Sequence, residues 1–216
     1  MTSTAYSSDA ALDEGGCLRV RFAKDALRPH ARFSQDAGER VEFGITIPMQ
    51  RHVGLPRPPY GEVDDLLFCW EAHRIALGGC DMLLLANASN RFAAFACMQP
   101  GEWRDWERSA VSALRASLAA CGFAEGSIDA YLFFGGIPVV TRTHGRRPVA
   151  FMNVLVDKLL PLALPLPSDE GEPFPHELCR LANEHMACKA AGFEGIGLPA
   201  ERFAADLARL GIGRAR

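Results

Sequence analysis

The chain has 216 residues, of which 49% are hydrophobic and 23% are charged, and its formal net charge is −3 at pH 7. This composition is that of a globular domain with one sizeable core. The slightly acidic balance argues against binding to nucleic acid through a broadly basic surface, although it leaves room for a local basic patch.

The N-terminal stretch and the cysteines indicate the compartment. Residues 1–16 are small, polar and acidic, without the basic start or the apolar run of a secretory signal, and no apolar run reaches membrane-spanning length. The seven cysteines are scattered, and no pair has the C-x-x-C spacing of a zinc or redox motif. We therefore expect a soluble cytoplasmic protein, not bound to a membrane, with reduced and mostly buried thiols.

The first part of the chain predicts strands, a loop and a helix. Alternating apolar residues in "CLRVRF" and "VEFGITI" indicate two half-buried strands. Four prolines from Pro48 to Pro59 predict an extended loop. The acidic start of "EVDDLLFCWEAHRIAL" and the apolar residues after it predict a helix that begins near Asp64 and ends at Gly78-Gly79.

The next part predicts a hairpin, two helices and two further strands. "CDMLLLAN" and "RFAAFACM" flank the turn Asn87–Asn90 and predict an antiparallel hairpin. "GEWRDWERSAVSALRASLAACG" has an apolar stripe at helical spacing and a C-capping glycine, Gly122. "SIDAYLFFGGIPVVTRT" predicts two strands interrupted by Gly135-Gly136. "PVAFMNVLVDKLL" predicts a helix with Pro148 in its first turn.

These elements predict an α+β fold with a mostly antiparallel sheet packed against helices, because the strands alternate cleanly and are joined by short turns. A stretch rich in proline and acid separates this core from two short helical stretches at the C-terminus. The expected organisation is a flexible tail (1–16), an α+β core domain (17–164), a linker (165–175) and a small helical appendage (176–216), the last with helices at His176–Ala191 and Pro199–Leu210.

The histidines and cysteines do not form a recognisable metal or catalytic motif. "HELC" and "HMAC" place His176, Cys179, His185 and Cys188 near one another, but on one continuous helix they point to opposite sides. Cys69 and His73 could pair on a helix, but the sequence offers no third group to orient them. The chain also lacks a phosphate-binding loop, so we expect no cofactor and no metal.

One polar stretch, "TRTHGRRPVAFMN" from Thr141 to Asn153, indicates a site. It places two arginines and a histidine in front of the predicted helix, where added positive charge costs roughly a few tenths of a kcal/mol for each residue. Arg146 and Arg147 could simply point into water or pair with acidic residues. Alternatively, a bound anion would satisfy the guanidinium groups, the free N–H groups of the first helical turn and the hydroxyl of Thr143 together.

The order of these features resembles an uncharacterised bacterial family, a domain of unknown function, over roughly residues 17–160. Its pattern is a tryptophan in a helix, an Asn-x-x-Thr turn, and then Thr-x-x-Arg-Ser-x-x-Gly-x-x-Asn. The matching residues are Trp70, Asn87, Thr143, Arg146 and Asn153, whereas Asn90, Arg147 and Ala150 stand where the family has threonine, serine and glycine. The resemblance implies no reaction, but it adds polar positions to the site.

The candidate ligand-binding residues are therefore Trp70, Arg74, Asn87, Thr143, His144, Arg146, Arg147 and Asn153. The best interpretation is a binding module for a phosphate-bearing ligand, either a nucleotide or a nucleic-acid end. An enzyme acting on a small anionic substrate, with His144 or His73 as the acid–base group, is a second interpretation. A structural protein-interaction domain, with the C-terminal helices as the interface of an oligomer, is a third.

Overall fold

A computed structural model describes residues 10–12, 18–20, 40–162 and 173–213, and the chain divides into two compact units, Met1–Gln35 and Asp36–Arg216. In the first unit, strands β1 (Ala10–Leu12) and β2 (Leu18–Val20) pair in antiparallel fashion. Strand β2 confirms part of the strand predicted at "CLRVRF", and the rest of that motif lies outside the described residues. No helix among the described residues is long and apolar enough to cross a membrane.

The second unit is built on a five-stranded mixed sheet with the strand order β6-β5-β4-β3-β7. Its strands are β3 (Glu42–Ile45), β4 (Cys69–Leu77), β5 (Cys80–Asn87), β6 (Ala93–Cys97) and β7 (Val139–Arg142). The pairs β4–β5 and β5–β6 are antiparallel, whereas β3 runs parallel to both β4 and β7. The α+β class is confirmed, but the sheet is mixed, because helical segments rather than tight turns lead from β3 to β4 and from β6 to β7.

Six α-helices accompany the sheet among the described residues. They are α1 (Ile47–His52), α2 (Trp106–Ala120), α3 (Glu125–Phe134), α4 (Arg146–Leu159), α5 (His176–Arg180) and α6 (Pro199–Arg209). Shorter turns of 3₁₀-helix span Leu66–Phe68, Glu102–Asp105 and Leu160–Leu162, and a π-helical turn spans Leu181–His185.

The helix predicted from Asp64 is wrong, because this stretch forms a single 3₁₀ turn followed by strand β4. The acidic residues do cap a helical turn, since the carboxylate of Asp65 accepts a hydrogen bond from the Leu67 amide. The first four residues of β4, 69–72, are buried on both faces of the sheet, so the start of this strand lacks the alternation of polar and apolar residues that identifies a strand. Gly78 and Gly79 have φ of 57° and 82° and form the turn into β5, instead of ending a helix.

Other predictions divide between confirmed and wrong. The structure confirms the hairpin of β5 and β6 and strand β7. It also confirms helix α2, which is followed by Gly122 in a left-handed conformation. The strand predicted at "SIDAYLFF" is wrong, because these residues form α3. The proline-rich stretch is extended only after α1, which tolerates Pro48 in its first turn. The helix expected over His176–Ala191 ends with the π-helical turn.

Hydrophobic clusters lie on both faces of the sheet. On the first face, side chains of β3 and β4 pack with helices α2, α3 and α6, as in the buried residues Phe43, Trp70, Trp106, Tyr131 and Phe203. On the second face, side chains of β5 and β6 pack with helices α4 and α5, as in Leu84, Phe95, Met152, Leu155 and Leu178. The C-terminal helices therefore supply buried side chains to both clusters, while the proposed division into core, linker and appendage stays a prediction.

The cysteines correct the expectation that the thiols are reduced. Cys80 and Cys97, on the neighbouring strands β5 and β6, form a disulfide with a Cα–Cα distance of 6.0 Å. The two cysteines are 17 residues apart in sequence, so only the strand pairing brings them together. Cys69, Cys121 and Cys179 are free and buried, and Cys188 is free and half-buried.

The turn of the β5–β6 hairpin is held by its own asparagines and by helix α6. The side-chain oxygen of Asn87 accepts hydrogen bonds from the amides of Ser89 and Asn90, which is an Asx turn. The carboxylate of Asp206 on α6 accepts a bond from the Ser89 hydroxyl and another from the Asn90 side-chain amide, both at 2.9 Å. Helix α6 is therefore joined to the hairpin by buried polar bonds as well as by Phe203.

We predict that Asp206→Ala lowers the free energy of unfolding by roughly 1–3 kcal/mol, because it leaves the buried donors of Ser89 and Asn90 without an acceptor. Urea denaturation of wild type and variant measures this difference. Asp129→Ala, which removes the exposed ion pair with Arg115, is the control and should cost less than about 1 kcal/mol. Equal effects of the two substitutions would contradict the role of Asp206.

Candidate functional site

Polar side chains near the starts of β3 and β4 lie on the second face of the sheet, next to its apolar cluster. Along β3, Phe43 packs in the cluster of the first face, so Glu42 and Gly44 face the other way. Along β4, Trp70 packs in that same cluster, which places Cys69 and Glu71 beside the β3 residues. Two adjacent strands thus bring two carboxylates and a thiol together on one buried surface.

His144, which follows β7, lies across this surface between the two carboxylates. Its Nε2 is 2.9 Å from Glu42 Oε2, and its Nδ1 is 3.3 Å from Glu71 Oε1. The backbone amide of His144 also donates a 2.7 Å hydrogen bond to Glu71 Oε1. The side chains of Glu42, Glu71 and His144 are only 5%, 0% and 8% exposed, so this is a buried ion cluster.

Two glycines and a loop enclose the cluster. A Cβ on Gly44 would lie 2.8 Å from His144 Nδ1 and 2.8 Å from the Cα of Thr143, so only glycine allows the chain to cross the sheet here. Gly61 packs against Glu42 and His144, and a Cβ on this residue would also be too close to their side chains. The amides of Glu62 and Val63 donate to Glu42 Oε1 at 2.7 and 3.2 Å. The proline-rich loop therefore closes the site.

The environment changes the charges of the cluster. Burial alone would lower the pKa of His144, but its interactions with Cys69 and Glu71 raise that pKa to about 10. Burial raises the pKa of Glu71, and the neighbouring His144 partly offsets this effect. With this pKa the ring of His144 is a cation at neutral pH, so the ring can donate a proton but cannot act as a general base.

The same residues include donors with the spacing of metal ligands. One oxygen of Glu42, the sulfur of Cys69 and one ring nitrogen of His144 all lie within 4.8 Å of one another. No other group of three or more such side chains with this spacing occurs among the described residues. The histidines and cysteines of "HELC" and "HMAC" do not form one within that part of the chain, and Cys179 instead lies 3.1 Å from the hydroxyl of Ser117.

A cavity of about 370 Å³ adjoins the cluster at the start of helix α4. Its charged lining consists of Arg91, His144, Arg146 and Arg147, and the remaining lining residues are small or apolar. None of the described residues that line it is acidic. The cavity is therefore positively charged and lies next to the cationic ring of His144.

Arg91 is the member of this lining that the sequence did not reveal. It follows the hairpin turn with a φ of 70°, and the residue is 3% exposed. Its guanidinium donates hydrogen bonds to the carbonyl oxygens of Asn87 and Ala88. Burial lowers the pKa of Arg91, attraction to Glu71 opposes this change, and repulsion from Arg147 adds to it. Its only sequence signal is a charged residue after an Asn-rich turn, which also fits an ordinary hairpin.

Arg146 and Arg147 are the first two residues of α4, because this helix begins two residues before Pro148, where the sequence predicted its start. Gly145, with a φ of 142°, is the N-cap and offers no side chain to the helix. The backbone N–H groups of the first turn therefore have no acceptor within the helix. Both arginines are exposed, and no described residue accepts a hydrogen bond or ion pair from their side chains.

The remaining predicted site residues lie elsewhere. Trp70 is buried in the core, and its indole N–H donates to the hydroxyl of Tyr131. Asn87 is buried in the hairpin turn, and Arg74 pairs with Asp81 at 2.7 Å. Thr143 lines a different cavity with Arg142, and Asn153 is exposed on α4. The structure thus brings three of the eight residues together at the cavity, namely His144, Arg146 and Arg147.

His73, the second candidate acid–base group, is not part of the cavity lining. Its Nδ1 lies 2.8 Å from the hydroxyl of Thr46, and burial lowers its pKa. Glu42 and Glu71 were not recognised in the sequence, because Glu42 lies on a strand face that alternation alone assigns to solvent and Glu71 lies in a stretch that was interpreted as a helix. Cys69 was considered only as a helical partner of His73, and on strand β4 it lies beside Glu42 instead.

Comparison with protein families identifies the domain. Residues 43–202 match the profile of a domain of unknown function, DUF6933, so the chain belongs to this family. This confirms the resemblance found in the sequence, although the match extends through α5 into α6, past the limit near residue 160 that the motifs suggested. No curated protein and no solved structure matches the chain.

We predict that Gly44→Ala destabilises the protein by roughly 1–3 kcal/mol, because the added methyl group collides with the backbone at Thr143 and with the ion cluster. Gly126→Ala is the matched control, since a Cβ there meets no atom within 4 Å and lies in helix α3, where alanine is favoured. Chemical denaturation measures both variants. A Gly44 variant as stable as the control would show that the chain does not cross β3 closely.

The ion cluster also predicts how stability depends on pH. A histidine pKa raised to about 10 in the folded protein, against about 6.5 when unfolded, adds stability that is complete below about pH 6.5 and is lost as the pH rises to 10. We therefore expect the free energy of unfolding of metal-free wild type to fall over this interval by a larger amount than that of His144→Gln. Denaturation at several pH values measures the difference between the two proteins.

His73→Gln is the control for this experiment, because the pKa of His73 is lowered and not raised. This variant should keep the decline in stability between pH 6.5 and 10. Parallel curves for wild type and His144→Gln would contradict a cationic His144.

Proposed function

We propose that this domain binds a phosphate-bearing ligand in the cavity at the start of helix α4. The observation that carries the proposal is the set of Arg91, Arg146 and Arg147 around one cavity whose described lining has no acidic residue. Like charges placed together are unfavourable unless a ligand of opposite charge joins them.

The arginines and the helix offer complementary contacts to a phosphate. Guanidinium groups bind phosphate oxygens with two parallel hydrogen bonds, and the free N–H groups of a helix N-terminus are a general anion site. Arg91 is held in place by the hairpin turn, so it provides a fixed contact, whereas the exposed Arg146 and Arg147 can close over the ligand.

The size of the cavity favours a small ligand or the end of a larger one. About 370 Å³ lies at the lower end of the range of small-molecule sites, which is enough for a phosphate group with an attached sugar or base. The overall charge of −3 makes a long contact with a nucleic-acid backbone a poor fit, whereas a single terminal phosphate needs only a local patch. A nucleotide or a nucleic-acid end is therefore the ligand class that we propose.

A second candidate function is an enzyme acting on a small anionic substrate. The observation that favours it is the position of His144, which lines the cavity and is held between Glu42 and Glu71. With a pKa of about 10, this ring would act as an electrostatic stabiliser or a proton donor to a leaving group. Product formation from a nucleotide that binds in the cavity distinguishes this function from binding alone.

We predict that Arg146→Ala, Arg147→Ala weakens ligand binding about 10- to 100-fold while the unliganded protein stays as stable as wild type or becomes slightly more stable. Thermal melting in the presence of a chelator first identifies the probe that stabilises wild type. The probes are inorganic phosphate, mononucleotides and a 5′-phosphorylated oligonucleotide. Calorimetric titration with that probe then gives the two affinities.

The matched control is Arg104→Ala, Arg108→Ala, which removes the same charge from exposed positions near the start of α2. It should leave binding of the probe unchanged apart from a small effect of net charge. If no probe stabilises wild type, the proposed function is wrong. It is also wrong if the Arg146/Arg147 variant melts several degrees lower without ligand, since the arginines then stabilise the fold instead.

A further inference from the structure

We propose that Glu42, Cys69 and His144 form a binding site for a divalent transition metal of the zinc class. This inference does not rest on the proposed anion site, because it concerns the donor atoms of Glu42, Cys69 and His144 rather than the arginines, and only His144 of the three also lines the cavity. The three residues come from β3, β4 and the segment after β7, so no sequence motif connects them.

The donor set is the first reason. A thiolate, an imidazole and a carboxylate are the three side-chain groups that zinc binds, at about 2.0–2.3 Å each, whereas magnesium and calcium prefer oxygen alone. Donor atoms bound to one such ion lie within roughly 4 Å of each other, and the three here lie within 4.8 Å. Small adjustments of the side chains would therefore bring all three onto one ion.

The surroundings of His144 are the second reason. A histidine that binds a metal through one nitrogen usually donates its other N–H to a carboxylate, which fixes the orientation of the ring. Nε2 of His144 faces Glu42, and Nδ1 lies 3.3 Å from Glu71 Oε1. Glu71 is thus placed as the orienting partner, with Glu42 on the metal side of the ring.

Unsatisfied polar atoms are the third reason. Glu71 Oε2 and His144 Nδ1 are fully buried, and neither has a hydrogen-bond partner among the described residues. Buried polar atoms without partners are costly and uncommon in folded proteins. With a metal on Nε2, the ring is neutral with its proton on Nδ1, and a small rotation would let that proton reach Glu71.

Metal binding would replace protons within the cluster. The ion takes the place of the Nε2 proton of the His144 cation and binds Cys69 as a thiolate, and every proton that these two ligands lose goes to solvent. Three protein ligands leave one position of a tetrahedral ion for water or another small ligand, as in zinc sites that keep an exchangeable position. The metal is therefore expected to bind more tightly as the pH rises.

Cobalt(II) and zinc(II) added to chelator-stripped protein test the site directly. We expect one equivalent of either ion per chain, and we expect the cobalt complex to absorb in the near ultraviolet through a sulfur-to-cobalt charge transfer. Cys69→Ser should abolish this band, whereas Cys188→Ser, which changes a half-buried free cysteine, should leave it unchanged. Glu71→Gln should keep the band and weaken zinc binding about 10- to 100-fold.

Several results would overturn the proposal. The proposal is wrong if wild type binds neither ion, or if its cobalt complex lacks the thiolate band. It is also wrong if Cys69→Ser binds zinc as tightly as wild type does. Because the first two are measured on wild type, the test does not depend on whether a variant folds. Circular dichroism of each variant checks folding, and His144→Gln replaces Cys69→Ser if the latter is unfolded.

Discussion

The ion cluster of Glu42, Glu71 and His144 is the interaction on which the rest of the site depends. Burying two carboxylates is unfavourable unless a cation and hydrogen bonds compensate them, and His144 supplies both through its ring and its backbone amide. To reach the carboxylates, the chain after β7 must turn back across the sheet over Gly44. This return places Gly145 and the start of α4 beside the hairpin turn, so the cavity and its arginines follow from the position of one histidine.

The two faces of the sheet explain why charge can be buried here. The first face is covered by aromatic and aliphatic side chains from α2, α3 and α6, which supply apolar burial for the fold. On the second face, α4 and α5 cover β5 and β6 with apolar residues, and the proline-rich loop covers β3 with backbone amides. The loop thus provides hydrogen-bond donors where a helix would provide only side chains, and a buried carboxylate can be tolerated.

Local signals were sufficient for some elements and failed for others. The hairpin was predictable from two apolar runs on either side of an asparagine-rich turn, and α2 and α4 were predictable from apolar residues at helical spacing with Gly122 or Pro148 near one end. Strand β4 was not predictable, because its first four residues are buried on both faces and the acidic residues before it look like a helix start. The arginines of α4 were recognisable by their unfavourable charge, whereas Arg91, Glu42 and Cys69 join the site only through strand pairing that no local pattern encodes.

The protonation state of His144 tests the account most directly, because the cation at this position is what holds the carboxylates and shapes the cavity. Two-dimensional NMR of metal-free protein with ¹⁵N-labelled histidine, recorded near pH 8, reports whether each ring nitrogen carries a proton, and comparison with His144→Gln assigns the signals. The account predicts that both nitrogens of His144 are protonated, well above the pH at which an ordinary histidine becomes neutral. A neutral ring at this pH, with one nitrogen unprotonated, would contradict it.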